Sequence, residues 1–118
     1  MQTVTEQIYQ FALVQGGITY SLQTQTQVTD RGYAVSPYPF AERRQPLTEL
    51  NIQFYISDHY GLLSKADHCL GLWYNTDNEE WYFDIVQVVL SSFTARTIAR
   101  KAGQLAYFDL MNKREVLL

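Results

Sequence analysis

The chain has 118 residues, among them nine Tyr, six Phe and two Trp, while charged residues make up only 18% of it. Its 47% hydrophobic content argues against intrinsic disorder, and its length predicts one domain over residues 1–118. The formal net charge of −3 gives no general attraction to nucleic-acid backbones, and a single cysteine, Cys69, excludes an internal disulfide and favours a cytoplasmic location.

The first half of the chain predicts one helix and several short strands. Thr3 followed by Glu6 matches a capping box, and Gly16 with Gly17 is a natural helix stop. The stretch 23–27 alternates Gln and Thr without an apolar residue, which favours a polar loop over an edge strand. The predicted elements, in chain order, are a helix over Val4–Val14 and strands over Ile18–Leu22, Gly32–Val35 and Arg43–Leu47.

The second half predicts two helices and three further strands. Either Thr48 or Asn51 can cap the first helix, and either Ser91 or Ser92 can cap the second, which runs over Phe93–Ala102. The predicted strands are Cys69–Tyr74 and Glu80–Leu90, which form a hairpin, and Leu105–Leu110. Together these elements predict an α+β fold, with a single, mostly antiparallel sheet of about five to six strands and two or three helices packed on one of its faces.

The last quarter of the chain carries a basic surface. The first 91 residues hold four basic and ten acidic side chains, whereas the last 27 hold five basic and two acidic ones. Arg96 and Arg100 are four residues apart and share a helix face, with Lys101 beside them. Together with Lys113 and Arg114 they can bind a nucleic acid or an acidic partner, or they can form a solvated outer face.

Four aromatic side chains on the hairpin form a candidate interface. Trp73, Tyr74, Trp81 and Phe83 lie on its two strands, and the alternation of a strand sends about half of them to each face of the sheet. One half can fill the core, whereas an exposed apolar remainder is typical of homo-oligomer and partner surfaces. Core and interface roles both stay open for Trp73 and Trp81.

No catalytic or cofactor-binding motif stands in the sequence. No metal-ligand spacing surrounds the two histidines, which favours a structural His59 and a loop His68, and Cys69 is typical of a small core residue. Asp84 interrupts an apolar strand, and because an unpaired buried carboxylate is costly, we expect a hydrogen bond from a backbone N–H group or from an arginine such as Arg96. We expect no metal and no cofactor, and an enzyme that uses Asp84 with a histidine is the least favoured alternative.

Five short motifs give the chain a family resemblance. They are Gly-Gly-Ile-Thr-Tyr (16–20), Gly-Tyr-Ala-Val-Ser-Pro-Tyr (32–38), Leu-Gly-Leu-Trp-Tyr-Asn (70–75), Tyr-Phe-Asp-Ile (82–85) and Gly-Gln-Leu-Ala-Tyr-Phe-Asp-Leu (103–110). As a set, over nearly the whole chain, they resemble small uncharacterised domain proteins encoded on bacterial phages, plasmids and conjugative elements. The resemblance implies a phage or mobile-element context and carries over no catalytic residue. The hairpin loop 75–79 departs from that family because it lacks a glycine.

These observations predict a small non-enzymatic protein-interaction protein that binds a protein partner or a second copy of itself through its aromatic hairpin. One alternative is a nucleic-acid-binding accessory protein that uses the basic C-terminal helix. Another is a virion component, such as a capsid decoration protein. We expect a location in the host cytoplasm or, for the last alternative, in the virion. No membrane partner is expected, because the longest nearly apolar run, Trp81 to Leu90, falls far short of the roughly 20 residues that span a bilayer.

Overall fold

The computed structural model describes residues 2–118, which form four α-helices and eight strands. The helices are α1 (Val4–Gln15), α2 (Glu49–Asp58), α3 (Tyr60–Leu63) and α4 (Ser92–Lys101), and a short 3₁₀ helix covers Pro39–Ala41. The strands are β1 (Gly17–Ser21), β2 (Thr26–Gln27), β3 (Tyr33–Val35), β4 (Arg43–Arg44), β5 (His68–Asn75), β6 (Glu80–Val89), β7 (Ala106–Asp109) and β8 (Arg114–Leu117).

All eight strands belong to one antiparallel sheet. Their order across it is β2-β1-β5-β6-β3-β7-β8, and β4 pairs with β6 beside β3. The predicted α+β class with a single, mostly antiparallel sheet is therefore confirmed. The sheet has two strands more than the expected six, because β2 forms within the stretch 23–27 that the sequence indicates as a polar loop and because β8 was not predicted. The chain also has four helices rather than the expected two or three. Strand β8 returns from β7 through a turn in which Lys113 has a positive φ of 53°.

Short polar side chains begin the helices where the sequence predicts them. The hydroxyl of Thr3 accepts a hydrogen bond from the N–H of Glu6 (3.1 Å) at the start of α1, and Thr48 and Ser91 cap α2 and α4 in the same way. Helix α1 ends at Gly16, whose φ of +77° is the left-handed conformation that glycine adopts without cost. Within residues 2–118, no helix is long and apolar enough to cross a bilayer.

All four helices cover the same face of the sheet. Side chains of β5 and β6 such as Leu72, Phe83 and Ile85 pack with Ile8 of α1 and Ile52 of α2 in the larger core cluster. A second cluster packs α4 on the same face of β3, β6 and β7; it contains Ala95, Ala99, Val35, Tyr107 and Val89. The opposite face of the sheet carries no helix in the described part of the chain.

The uncovered face is concave because the two ends of the sheet approach each other across it. Val28, which follows β2, packs against a cluster that contains Leu110, which follows β7, and Val86 in the middle of the sheet. Beside them, the Nζ of Lys113 lies 3.4 Å from the carbonyl oxygen of Thr29. The sheet therefore curls around a groove on the face that no helix covers.

Candidate functional site

A groove of about 1100 Å³ occupies the concave face of the sheet. Its floor includes Thr19 of β1, Gly71 of β5 and Asp84 of β6, which lie side by side because the register pairs each with the next. Val86 and Ala34 continue the floor toward the apolar end, where they pack together. The groove thus combines apolar walls with one deeply placed carboxylate, a combination typical of ligand-binding sites.

Asp84 is the buried charged group of this floor, with only 7% of its surface exposed. Its Oδ1 accepts a hydrogen bond from the N–H of Ile85 (2.8 Å), and its Oδ2 accepts one from the hydroxyl of Ser36. The expected backbone donor is therefore confirmed, whereas Arg96 lies on α4 beyond the opposite face of the sheet. Burial raises the pKa of Asp84 to about 6, although the Ser36 and Ile85 donors lower it and Glu42 raises it further.

The segment that supplies Ser36 leaves a gap in the sheet. Strand β3 pairs with the end of β6 and β4 with its beginning, so residues 36–42 arch away from β6 beside Asp84. Pro37 and Pro39 in this segment cannot donate backbone hydrogen bonds to a ladder, which explains why the pairing stops there. The arch carries both Ser36 and Glu42 to the groove wall.

The two histidines do not join Asp84. His68 is buried at the start of β5, and its Nδ1 donates to the carbonyl oxygen of Ala66 (2.8 Å), so its Nε2 accepts from the hydroxyl of Tyr38 (2.8 Å). The prediction of a loop histidine at this position is therefore wrong. His59 is half-buried at the junction of α2 and α3, as a structural histidine would be. Both lie on the helix-covered side of the sheet, whereas Asp84 lies on the concave side.

An aromatic ladder forms one end of the concave face. Trp73 and Tyr82 stack across β5 and β6 with ring centroids 4.4 Å apart, and the guanidinium carbon of Arg44 lies 4.9 Å from the Tyr82 centroid. Trp73 lines the groove and keeps 44% of its surface exposed, because its neighbour across β1 is Gly17. One face of this indole is thus open to a ligand.

The other predicted interface aromatics lie on the helix-covered face. Phe83 is fully buried in the larger core cluster, so its assignment to an interface is wrong. Trp81 is half-buried against that cluster and pairs with Tyr74 at 5.4 Å between ring centroids. Three of the four candidate aromatics thus lie on the helix-covered face, rather than the expected half, and only Trp73 reaches the groove.

The basic residues of α4 form a separate surface. Arg96, Arg100 and Lys101 are all exposed, and within residues 2–118 none of them lies within 4 Å of a carboxylate. Lys113, which the sequence groups with these residues, lines the groove instead. Arg44 lies on β4 beside the aromatic ladder and approaches Glu42 at 4.0 Å. The groove and the basic helix are therefore two distinct candidate surfaces on opposite sides of the sheet.

No metal site accompanies the groove in the described part of the chain, where no three His, Cys, Asp or Glu side chains converge to hold an ion. Cys69 is buried beneath the apolar end of the groove, and burial, with a smaller effect of Asp67, raises the pKa of its thiol to about 11. A thiol with so high a pKa stays protonated at neutral pH and is a poor nucleophile.

Sequence reasoning missed most of the groove. Thr19, Ser36, Glu42 and Gly71 come from four separate segments, and only the sheet register brings them beside Asp84. The sequence holds one signal, which is Asp84. An acidic residue within a nearly apolar strand needs a polar or charged partner, because an unpaired buried carboxylate is costly.

Comparisons with protein-family models, with curated proteins and with solved structures find no match for this chain.

Proposed function

We propose that this chain is a small binding protein that takes a segment of a protein partner into the groove on the concave face of its sheet. The observation that carries the proposal is the one-sided packing: all four helices cover one face, and a groove of about 1100 Å³ remains on the other. A groove of this size is as large as the sites that enclose small ligands, and its open side can admit a longer chain.

The chemistry of the groove supports recognition of a segment rather than simple hydrophobic adhesion. Trp73 offers an exposed aromatic surface, and aromatic residues are enriched where proteins bind each other. Asp84, Ser36 and Thr19 add polar groups at fixed positions among apolar walls. Polar groups of this kind fix the orientation of a bound segment, whereas the apolar walls supply most of its burial.

A random peptide library displayed on a carrier tests the proposal directly. Peptides are selected on the wild-type protein and then measured against Thr19→Trp, which places a large side chain on the groove floor. Gln53→Trp adds the same side chain at an exposed position of α2 and is the matched control. We expect peptides whose affinity falls about tenfold or more with Thr19→Trp and stays unchanged with Gln53→Trp. Failure to select any peptide, or equal binding to both variants, would overturn the proposal.

A second candidate function is nucleic-acid binding by α4. The exposure of Arg96, Arg100 and Lys101, with no carboxylate of residues 2–118 close to them, favours it. A gel-shift titration with duplex and single-stranded DNA at two salt concentrations decides it. Binding that weakens as salt rises, and that Arg96→Ala with Arg100→Ala abolishes, would establish this function. No shift at low salt would remove it.

The cellular context of the groove is a further part of the proposal. The family resemblance supports an origin on a phage or another mobile element, with the protein acting in the host cytoplasm. A virion role, such as capsid decoration, is the alternative, and the presence of the chain in purified particles decides between them. Light scattering on the free protein and on Thr19→Trp shows whether the chain self-associates and whether that association needs the groove.

A further inference from the structure

We propose that the groove selects a basic side chain, a lysine or an arginine, of the partner segment, and that the cationic end of this side chain binds Asp84. This inference rests on the proposed function, since it names what the bound segment must carry. It commits to a protein segment as the source of the cation, because the groove continues beyond the carboxylate over an apolar floor that Ala34 and Val86 form.

The acceptor positions of the Asp84 carboxylate are only partly filled. A carboxylate offers about four acceptor positions, and here one N–H and one hydroxyl fill only one on each oxygen. Both donors are neutral, and within residues 2–118 no lysine or arginine approaches the carboxylate within 4 Å. The charge that the fold buries at this place is therefore left without a cation, although buried charges are ordinarily paired.

The Asp84 carboxylate can be reached from the groove. Gly71 lies directly across from Asp84 in the β5–β6 register, and a methyl group there would stand 3.8 Å from the Cβ of Asp84 and 3.0 Å from a methyl carbon of Val86. The absence of a side chain at Gly71 thus leaves a lane along the groove floor to Asp84. Asp84 itself lines the groove, so the open acceptor positions are reached from the groove side.

The side chains that line the groove carry a net negative charge. Glu42, Asp84 and Glu115 all line the groove, against one lysine, Lys113, which lies near the carbonyl oxygen of Thr29 at the apolar end. Arg44 compensates Glu42 only weakly, because the pair is 4.0 Å apart and both side chains are well exposed. The groove therefore attracts a cation and repels an acidic segment.

An exposed aromatic side chain, Trp73, lies next to the open path at Gly71. Trp73 follows Gly71 by two residues and so points into the same face of the sheet, about 7 Å along the strand. A lysine or arginine that reaches Asp84 along the lane can pack its aliphatic stem against the exposed indole, and an arginine can also stack its guanidinium there. The protein already makes such a contact itself, where Arg44 lies over Tyr82.

Two matched peptides test this inference by NMR titration of the full chain. Acetyl-Gly-Arg-Gly-amide and its citrulline counterpart have nearly the same shape, but citrulline carries no charge. We expect the arginine peptide to shift the amide signals of Gly71 and Ile85 and the indole signal of Trp73, with an affinity about tenfold or more above that of the citrulline peptide. The preference should disappear in Asp84→Asn and persist in Asp77→Asn, which removes the same charge from the exposed hairpin loop.

The outcomes separate this inference from the proposed function. Library peptides that bind in the groove without enrichment of lysine or arginine would overturn the basic-residue inference and leave the binding function standing. Equal affinities of the arginine and citrulline peptides would do the same. A library that yields no groove-dependent peptide would overturn the binding function itself. An arginine preference that survives Asp84→Asn would show that Asp84 is not the cation site.

Discussion

Replacement of Asp84 with asparagine tests whether the groove floor holds an uncompensated charge at a cost to stability. Burial raises the pKa of this carboxyl to about 6, from an ordinary value of 3.8. Between these two pH values the folded chain holds a proton that the unfolded chain has released, so the free energy of unfolding falls as pH rises through this window. A gap of two pKa units corresponds to about 3 kcal/mol, which is the stability lost once the folded carboxyl is ionised.

Asparagine preserves the local hydrogen bonds without the charge. Its Oδ1 can accept from the N–H of Ile85 as before, and its amide can donate to the hydroxyl oxygen of Ser36, which both donates and accepts. We therefore expect Asp84→Asn to raise the free energy of unfolding by up to about 3 kcal/mol at neutral pH. Well below pH 3.8, where aspartate is protonated in both states, the variant and the wild type should be equally stable.

Urea unfolding followed by tryptophan fluorescence at a series of pH values measures this difference. Asp77→Asn is the matched control, since Asp77 is exposed on the hairpin loop and its replacement should give no difference that grows between acid and neutral pH. A variant of Asp84 that is less stable than the wild type at neutral pH, or a difference that is the same at all pH values, would refute the reasoning. The first result would mean that the ionised carboxylate stabilises the fold, and the second that burial does not raise its pKa.

Four further substitutions test other parts of the fold by urea unfolding. Thr48→Ala should cost about 1 kcal/mol, because it removes the oxygen that accepts the N–H of Asn51 at the start of α2; no loss would contradict the cap. Tyr20→Phe should stabilise the chain by about 1 kcal/mol at every pH below 8, since the buried hydroxyl of Tyr20 has no hydrogen-bond partner in the described residues, and destabilisation would reveal one. Phe83→Ala should lower the free energy of unfolding by about 3–5 kcal/mol, because Phe83 is fully buried. Trp73→Ala should lower it by only about 1 kcal/mol and should reduce peptide binding. Equal losses for the two variants would place Trp73 in the core.

The sequence predicts an element well where the contacts that stabilise it lie within one short segment. The caps at Thr3 and Thr48 and the glycine stop at Gly16 need only neighbouring residues, and all three form, with Thr48 rather than the alternative Asn51 as the cap of α2. The aromatic hairpin is equally local, because its two strands and its loop are contiguous. Such elements are visible in sequence because their stabilising contacts span only a few positions.

Elements that depend on distant partners escape sequence reasoning. Strand β8 holds four mostly exposed residues, and it forms because β7 offers it an edge rather than because of its own pattern. His68 looks like a loop residue until Tyr38, thirty residues away, supplies a hydroxyl donor to its ring. The groove is the extreme case, because Ser36 meets Asp84 only through the arch between β3 and β4. Sequence could single out Asp84 as unusual, but it could not assemble what surrounds it.

The most direct test of the groove as the binding site is a map of amide chemical shifts during titration of a library-selected peptide into the isotope-labelled protein. We expect the largest changes on the concave face, at Thr19, Gly71 and Trp73, and we expect them to vanish in Thr19→Trp. Changes concentrated on α4, around Arg96 and Arg100, with an unperturbed groove would contradict it.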